Sequence, residues 1–539
     1  MVGLAKVPVY SIVILFGLWL FISSKQKSNL ETKLEFKYSV PSISKEKEYL
    51  LAYPQPPPGT YCSNWNPSFK KAFWSDSKGQ KPIPLMKGLG WDKLESKPSG
   101  RALKFKQNSL QWTEVNANTS DRESNERLFL VPEDASLIYT KRYFYSTPEK
   151  TNKQTARIGI DYACPNQMLN HIPGASAYCR KDYLQRYLMD YQKRYKALDL
   201  SHCYQESLTP ESYILSEPEH CIAFMEQLKQ MVRTYDSENF PLNWILKSAV
   251  QHKGSGIKLV DYDLAVHYLK LYTRNTNCYN LLPEDSQLIA QKYIGNPALI
   301  EGRKFDFRVF VAVINSDPLV ALWSPESGHS RVSDQIFNKT SKDFTTHITA
   351  DVKGDPEVTK FLLRHRFNLK ELALYFQDQI KDVDKWLNEV AYPQIKSILI
   401  HMFRATQQNF LVKRPGFMEF YGVDFILEDN MEKIYLLESN RRPNVYEKKK
   451  ELRYRQNNLL YDMHLVTEYL LSKEVSELDP EDLYWRLSSF EPLIDETKPD
   501  PYFGMLSHEC SVPFKDFNTE LPVDPMMEPL WNYVNELNS

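Results

Sequence analysis

The stretch from Ala298 to Ile314, "ALIEGRKFDFRVFVAVI", constrains the fold more than any other. A turn near Gly302 breaks it. Beyond the turn, aromatic and β-branched residues alternate with charges, which specifies a strand. Period two sets Lys304, Asp306 and Arg308 on one face and Phe305, Phe307 and Val309 on the other. The apolar face has to be covered by a second layer. The charged face is either the wall of a site or a solvated strand surface.

A strand pair is predicted further on, "GVDFIL" (422–427) and "KIYLLES" (433–439), folded about the hairpin-like turn "EDNMEK". A helix is predicted before it, within 383–410. "RKDYLQRYLMDYQKRYKAL" (180–198) has helical spacing, with Tyr183, Leu184, Tyr187, Leu188 and Tyr191 along one side. "ARIGIDYACP", "PESYILSE" and "NWILKSAV" read as strands and "AFMEQLKQMVRTY" as a helix. The expected fold class is α/β (α+β) with mostly antiparallel pairing, and no internal repeat.

The first segment has a different character. Val7 to Ser24, "VPVYSIVILFGLWLFISS", holds no charge over 18 residues. That is long enough to cross a hydrocarbon layer of about 30 Å as a helix. It exceeds the usual apolar region of a signal peptide, and no small-residue cleavage site follows, so an uncleaved anchor is expected. Lys25, Lys27, Lys33 and Lys37 follow it, with only Lys6 and the amino terminus before it. The bias of positive charge predicts the large C-terminal part on the cytosolic or matrix side, the mitochondrial inner membrane being one such setting.

The expected organisation is a tail (1–6), a transmembrane helix (7–24), a charged and proline-rich stalk (25–60) ending in "PQPPPG", a block without motifs (61–154), the main α/β region (155–475) and an acidic, proline-rich extended tail (476–539) wrapping a surface. Net charge is −1, so nothing pulls the whole chain toward nucleic acid, and none is expected as a partner. The seven cysteines are odd in number and contain no C-x-x-C pair. Neither a zinc site nor a disulfide framework is required. The sequons at Asn118 and Asn338 would matter only in a secretory lumen, and are read as chance.

Three stretches carry candidate chemistry. In "WILKSAVQHKGSGIKLV" a strand delivers Lys247, and a turn follows at Gly254 and Gly256 with Lys253 and Lys258 beside it. Glycines allow backbone N–H groups to approach phosphate, and lysines offset its charge. A Gly-x-Gly turn between strands also serves plain hairpins. The second stretch is the charged face of Lys304, Asp306 and Arg308. The third joins Asp424 of "GVDF" to Glu438 and Asn440 of "LLESN". Two carboxylates and an amide oxygen are hard ligands suited to Mg²⁺ shared with ATP phosphates. The same residues also suit a polar strand end beside Arg441 and Arg442.

In this order the stretches resemble the tubulin–tyrosine ligase-like family, which has an ATP-grasp fold. "NHIPGASAYCRKDYL" (170–184) is similar to its N-x-x-P-G…R-K-D segment, and "WILKSAVQHKGSGI" to its W-I-x-K-P…G-x-G-I stretch. "QKYIGNPALIEGRKFDFRVFV" resembles its hinge and following strand, and "GVDFIL…LLESNRRP" its metal strands. The resemblance covers roughly 155–475. It implies that Lys247 contacts the α- and β-phosphates, that the glycine turn covers the phosphates, and that Gln291, Lys292, Tyr293 and Ile294 form a hinge against adenine. It implies Lys304 and Asp306 beside the ribose and the catalytic face, Arg308 and Arg331 on the γ-phosphate or an acyl phosphate, and Asp424, Glu438 and Asn440 on Mg²⁺.

The activity so implied is an ATP-dependent carboxylate–amine ligase acting on tubulin-like acidic tails. The basic run "RRPNVYEKKKELRYRQ" (441–456) would cradle such a tail. There are departures. "HITA" (347–350) stands where the family reads H-x-T-N, Ser248 follows Lys247 in place of proline, and Asn444 follows Pro443 in place of serine. With the anchor and stalk, these departures open a second expectation. The chain would be a non-catalytic ligase-like subunit of a large membrane-protein complex, with or without ATP.

Overall fold

The structure is a computed structural model. It describes most of residues 168–511, with gaps of which the largest are 250–255, 276–287, 350–355, 408–416 and 473–482, and the backbone of six short strands before residue 140. The apolar run 7–24, the stalk, Gly254, Ala350, Arg442, Asn444 and residues 512–539 lie outside the described residues, as does the strand expected over 156–165. Among the described residues no helix is long and apolar enough to cross a membrane.

The block expected to lack motifs holds strands. β1 (Ala72–Ser75), β2 (Asp92–Lys93) and β6 (Leu137–Tyr139) join β7 (Met168–Leu169) in a parallel sheet of order β2-β1-β6-β7. Between them, β3 (Arg101–Lys106), β4 (Gln111–Asn116) and β5 (Glu126–Leu130) form an antiparallel sheet of order β4-β3-β5.

Helix α1 (Lys181–Ala197) leads to β8 (Ser212–Ile214), α2 (Pro218–Thr234), β9 (Trp244–Ser248), β10 (Ile257–Leu259), α3 (Tyr262–Asn275) and β11 (Leu288–Lys292). The four strands make an antiparallel sheet of order β10-β9-β11-β8. One face packs Trp244, Leu246, Leu288 and Ala290 against Phe224, Leu228 and Tyr268 of α2 and α3.

The main sheet has the order β16-β15-β13-β14-β17. Its strands are β13 (Arg303–Ser316), β14 (Leu319–Val332), β15 (Glu419–Leu427), β16 (Ile434–Arg441) and β17 (Glu491–Asp495), with β12 (Leu299–Ile300) paired to β13. The break near Gly302 is a reversal between β12 and β13, with positive φ at Glu301 and Gly302. Odd-numbered residues of β13 (Phe305, Phe307, Val309, Val311, Val313) enter the largest core, with α1, α4 (Pro356–Arg364), α5 (Leu369–Tyr375) and α6 (Tyr392–Thr406). Burying each such side chain contributes about 1.5–3 kcal/mol. Even-numbered residues split by position. Phe310, Ala312 and Ile314 pack on α7 (Lys450–Ser472), whereas Lys304, Asp306 and Arg308, toward the other end of the strand, carry charge. One strand face is thus core at one end and site at the other.

Two expectations need correction. The extended C-terminal tail is not extended from its start: Glu491–Asp495 is the edge strand β17, paired with β14, and Leu493 and Ile494 enter the core. A disulfide is also present, Cys203–Cys510, joining the end of α1 to the segment after β17. The helix expected over 383–410 forms as a turn at Val383–Trp386, a π turn at Leu387–Ala391, then α6. Pro393 lacks an N–H, and the wider turn before it absorbs the missing hydrogen bond.

Candidate active site

Two irregularities in the main sheet aim its side chains. In β16 the register moves from Phe425↔Leu436 to Asp424↔Glu438, which leaves Leu437 as an extra residue. Ile434 and Leu436 share the core face with Phe425 and Leu427. Unbroken alternation would send Glu438 to that core as well. The bulge at Leu437 re-aims Glu438 and Asn440 to the face of Asp424 and Gly422. In β14 the register moves from Phe310↔Ser324 to Arg308↔His329, and Pro325–Gly328 bulge out between them. This accommodates Pro325, which has no N–H for the ladder. A Cβ at Gly328 would lie 1.9 Å from the Arg308 carbonyl oxygen. One at Gly422 would lie 2.8 Å from Arg308 Cδ, so that glycine makes room for the arginine.

The charged side chains form one hydrogen-bonded chain. Arg308 donates from Nε and Nη2 to the two oxygens of Asp424, at 2.7 and 2.8 Å. Arg331 donates from Nη2 to Asp424 Oδ2 at 2.9 Å and from Nε to Asp306 Oδ1 at 2.6 Å. Thr349 donates its hydroxyl to Asp306 Oδ2. Asn440 Nδ2 reaches Asp424 Oδ2 and Glu438 Oε1, each at 3.0 Å, and Lys181 Nζ lies 3.2 Å from Glu438 Oε2. Burial pushes the Asp424 carboxyl upward, against Arg308 and Arg331, while three guanidinium N–H bonds hold the anion in place. Burial also opposes charge on Arg331, but Asp306 and Asp424 outweigh it and hold the guanidinium well above its usual value. Burial would raise Glu438. Lys181, the Asn440 amide, Arg331 and Lys247 together hold it well below the usual carboxylate range.

Opposite this chain stand two lysines. Lys247 of β9 donates to Gln291 Oε1 at 2.6 Å, and Gln291 Nε2 donates to Ser212 Oγ at 3.0 Å. Lys304 Nζ lies 4.0 Å from the centroid of the Tyr293 ring. Burial pulls Lys247 down to about 8, with Glu438 opposing. It pulls Lys304 down to about 7, helped by Lys247. An anion between them would restore both charges. Tyr293 donates its hydroxyl to His347 Nδ1 at 2.7 Å, and His347 Nε2 donates to the Ser341 carbonyl at 2.7 Å. These bonds set the tautomer and lock the hinge residue to the "HIT" segment.

The structure therefore brings Lys247, Gln291, Tyr293, Lys304, Asp306, Arg308, Arg331, Asp424, Glu438 and Asn440 to one cleft. Ile294 is half-buried and follows Tyr293. Lys292 points elsewhere: it is exposed, 3.9 Å from Glu211. Gly256 takes a left-handed φ of 74°, which glycine adopts without a Cβ clash, and its carbonyl accepts from Ser248 N–H, extending the β9–β10 pairing by one step. Sequence reasoning did not assign Lys181, Thr349 or His329. Lys181 opens α1 within "RKD", a signal that was visible. His329 pairs with Arg308 across the ladder and is held neutral by burial, helped by Arg366, Arg308 and Arg331. Pro325 and Gly328 break the strand signal around it.

The donor set fits a hard divalent cation. Glu438 accepts one hydrogen bond on each oxygen and keeps further lone pairs, and rotating the Asn440 amide turns its oxygen toward the same point. Asp424 is different. It already accepts four hydrogen bonds, three on Oδ2 and one on Oδ1, so only Oδ1 keeps a lone pair for a metal. Five cations (Lys181, Lys247, Lys304, Arg308, Arg331) face three carboxylates (Asp306, Asp424, Glu438). That surplus matches a magnesium–triphosphate, which keeps a net negative charge.

The chain is similar to several known proteins over part of its length. The chain is 25% identical to tubulin monoglycylase TTLL3 of Mus musculus over 319 residues, 55% of this chain and 32% of that protein. It is 26% identical to the probable tubulin polyglutamylase ttll-9 of Caenorhabditis elegans over 364 residues, 63% and 77% of the two chains. It is 25% identical to the inactive polyglycylase TTLL10 of Homo sapiens over 361 residues, 62% of this chain and 48% of that one. The chain thus spans a third to three quarters of the length of these relatives. Residues 160–476, more than half of the chain, match the tubulin-tyrosine ligase family, and the chain belongs to that family.

Proposed function

We propose that this chain is a membrane-tethered, ATP- and Mg²⁺-dependent carboxylate–amine ligase that adds an amino acid to acidic, tubulin-like protein tails. Ligases of its family use ATP and Mg²⁺. The observation that carries the reading is the continuous charge chain from Asp306 through Arg331, Asp424 and Arg308 to Asn440, Glu438 and Lys181, facing the buried ammonium groups of Lys247 and Lys304.

The reaction must join two anions before it joins carbon to nitrogen. Lys247 and Lys304 hold the phosphates, and Tyr293 and Gln291 line the base side. Arg308 and Arg331, fixed from behind by Asp424 and Asp306, offset the repulsion between the γ-phosphate and the acceptor carboxylate. The carboxylate oxygen bonds to the γ-phosphorus as ADP leaves. The amine then bonds to the acyl carbon as phosphate leaves. Magnesium, when held by Glu438 and Asn440, stabilises negative charge on the phosphate oxygens. The sheet supplies position, because each reacting group is fixed by a partner on a strand.

One observation favours a second reading, a non-catalytic ligase-like subunit of a membrane complex: Asp424 already accepts four hydrogen bonds from protein donors, three of them on Oδ2. The test is incubation of the protein with ATP, Mg²⁺, glutamate, glycine or tyrosine, and a glutamate-rich tubulin tail peptide. The ligase reading expects an ATP-dependent mass increase on the peptide, lost in Glu438→Gln. No incorporation of any of the three, with Glu438→Gln equal to wild type in ADP release, favours the subunit.

A further inference from the structure

We propose that Asn338 is an N-glycan acceptor, and that the ligase-like body folds in the oxidising lumen of the secretory pathway. The inference goes beyond the ligase reading and narrows its acceptor to an acidic tail of tubulin-like chemistry presented in that lumen. Two independent observations carry it. The first is the disulfide Cys203–Cys510. Its cysteines are 307 residues apart in sequence, their Cα atoms lie 5.2 Å apart, and they are only 3% and 5% exposed. Cys221, on the buried face of α2, is disulfide-bonded as well. Stable buried disulfides belong to secreted and lumenal proteins, because cytosolic thiol systems keep such pairs reduced. The odd cysteine count is no obstacle. Cys179 remains a thiol, and burial pushes it up to about 12, which leaves almost no reactive thiolate.

The second observation is the setting of Asn338-Lys339-Thr340. This is an N-x-T acceptor sequence without proline, in the loop between β14 and the turn Phe344–Thr346, and all three residues are exposed. Asn338 Oδ1 accepts from the Thr340 backbone N–H at 3.1 Å and from its hydroxyl at 3.0 Å. The acceptor amide and the threonine hydroxyl are therefore already side by side on an open turn. Transfer would form a bond from Asn338 Nδ2 to the reducing-end sugar carbon of a lipid-linked oligosaccharide, with lipid diphosphate leaving. The apolar run Val7–Ser24 supplies a membrane-targeting segment. The four lysines after it predict the opposite side, but a long folded domain translocates largely regardless of flanking charge.

The full chain should be expressed in animal cells and its gel mobility compared before and after peptide-N-glycosidase. The expected result is a downward shift in wild type, one step of which is missing in Asn338→Gln and in Thr340→Ala but retained in Thr340→Ser. Maleimide labelling of denatured protein should reach Cys203 and Cys510 only after reduction. A wild-type chain without a shift overturns the proposal. So does a shift identical in Asn338→Gln, or labelling of both cysteines without reductant. None of these readouts uses ligase activity, so the failure of one reading leaves the other to be tested separately.

Discussion

Two places in this molecule bury arginines, and they do so in opposite ways. At the cleft, Arg308 and Arg331 face Asp424 and Asp306. Between α1, α6 and the segment after β17, Arg404 is 1% exposed and donates to three phenols: Tyr191 at 3.0 Å, Tyr195 at 2.6 Å and Tyr502 at 2.6 Å. Phenols satisfy a guanidinium without neutralising it, and they pin three elements together. Carboxylates hold the guanidiniums of the cleft in place while the surrounding lysines leave positive charge to spare. A buried arginine is thus not a site in itself. It becomes one where its partners are anions and its surroundings still call for more.

The contrast can be broken from the catalytic side first. Asp424→Asn removes the charge that fixes both arginines, and ATP-dependent turnover should fall by about a thousandfold, or about 4 kcal/mol of transition-state stabilisation. Steady-state ADP release measures it. Arg404→Leu should do the reverse. It removes the donor that three phenol oxygens share, leaves Tyr502 without its guanidinium, and should lower unfolding free energy by about 3 kcal/mol, read by urea denaturation, with turnover per folded molecule unchanged.

Acid should separate the two regions again. Burial, with Arg404 beside it, pulls His401 down to about 3, below its unfolded value near 6.5. Below pH 6.5 the unfolded chain therefore takes up the proton first, and stability falls as pH drops toward 3. By pH 5 the loss should be about 2 kcal/mol in thermal or urea melts, and His401→Gln should flatten it. At the cleft the sign is opposite. Lys304 and Lys247 attract phosphate only when protonated, and they lose that proton near 7 and 8. ATP affinity should rise about tenfold from pH 9 to pH 6. Calorimetry at pH 7.5 should also show net proton uptake on binding.

Much of this was legible in the sequence because its signals were local. The alternation of Lys304, Asp306 and Arg308 identified a strand with one charged face, and "GVDFIL" with "KIYLLES" identified a strand pair, of which the first member lies beside that strand. What was not legible depended on distant parts of the chain. β14 contains Pro325, Glu326 and Gly328, which carry no strand signal of their own, and only the pairing with Arg308 shows them to be a bulge within a strand. The bulge at Leu437 lies within a run of apolar residues that gives it no mark. The edge strand β17 is five residues inside an acidic, proline-rich stretch. The disulfide joins residues 307 apart, a distance over which spacing carries no information. Lys181 was visible beside Arg180 and Asp182, but its place against Glu438 is set by how α1 packs on the main sheet.

The most direct test of the account counts products. With ATP, Mg²⁺, an amino acid and a glutamate-rich tail peptide, it predicts one ADP released for each new amide bond. Both products should vanish together in Glu438→Gln while Arg404→Leu retains them. Tight ATP binding without amide formation under any amino acid, or ADP release indifferent to peptide and amine, would contradict it.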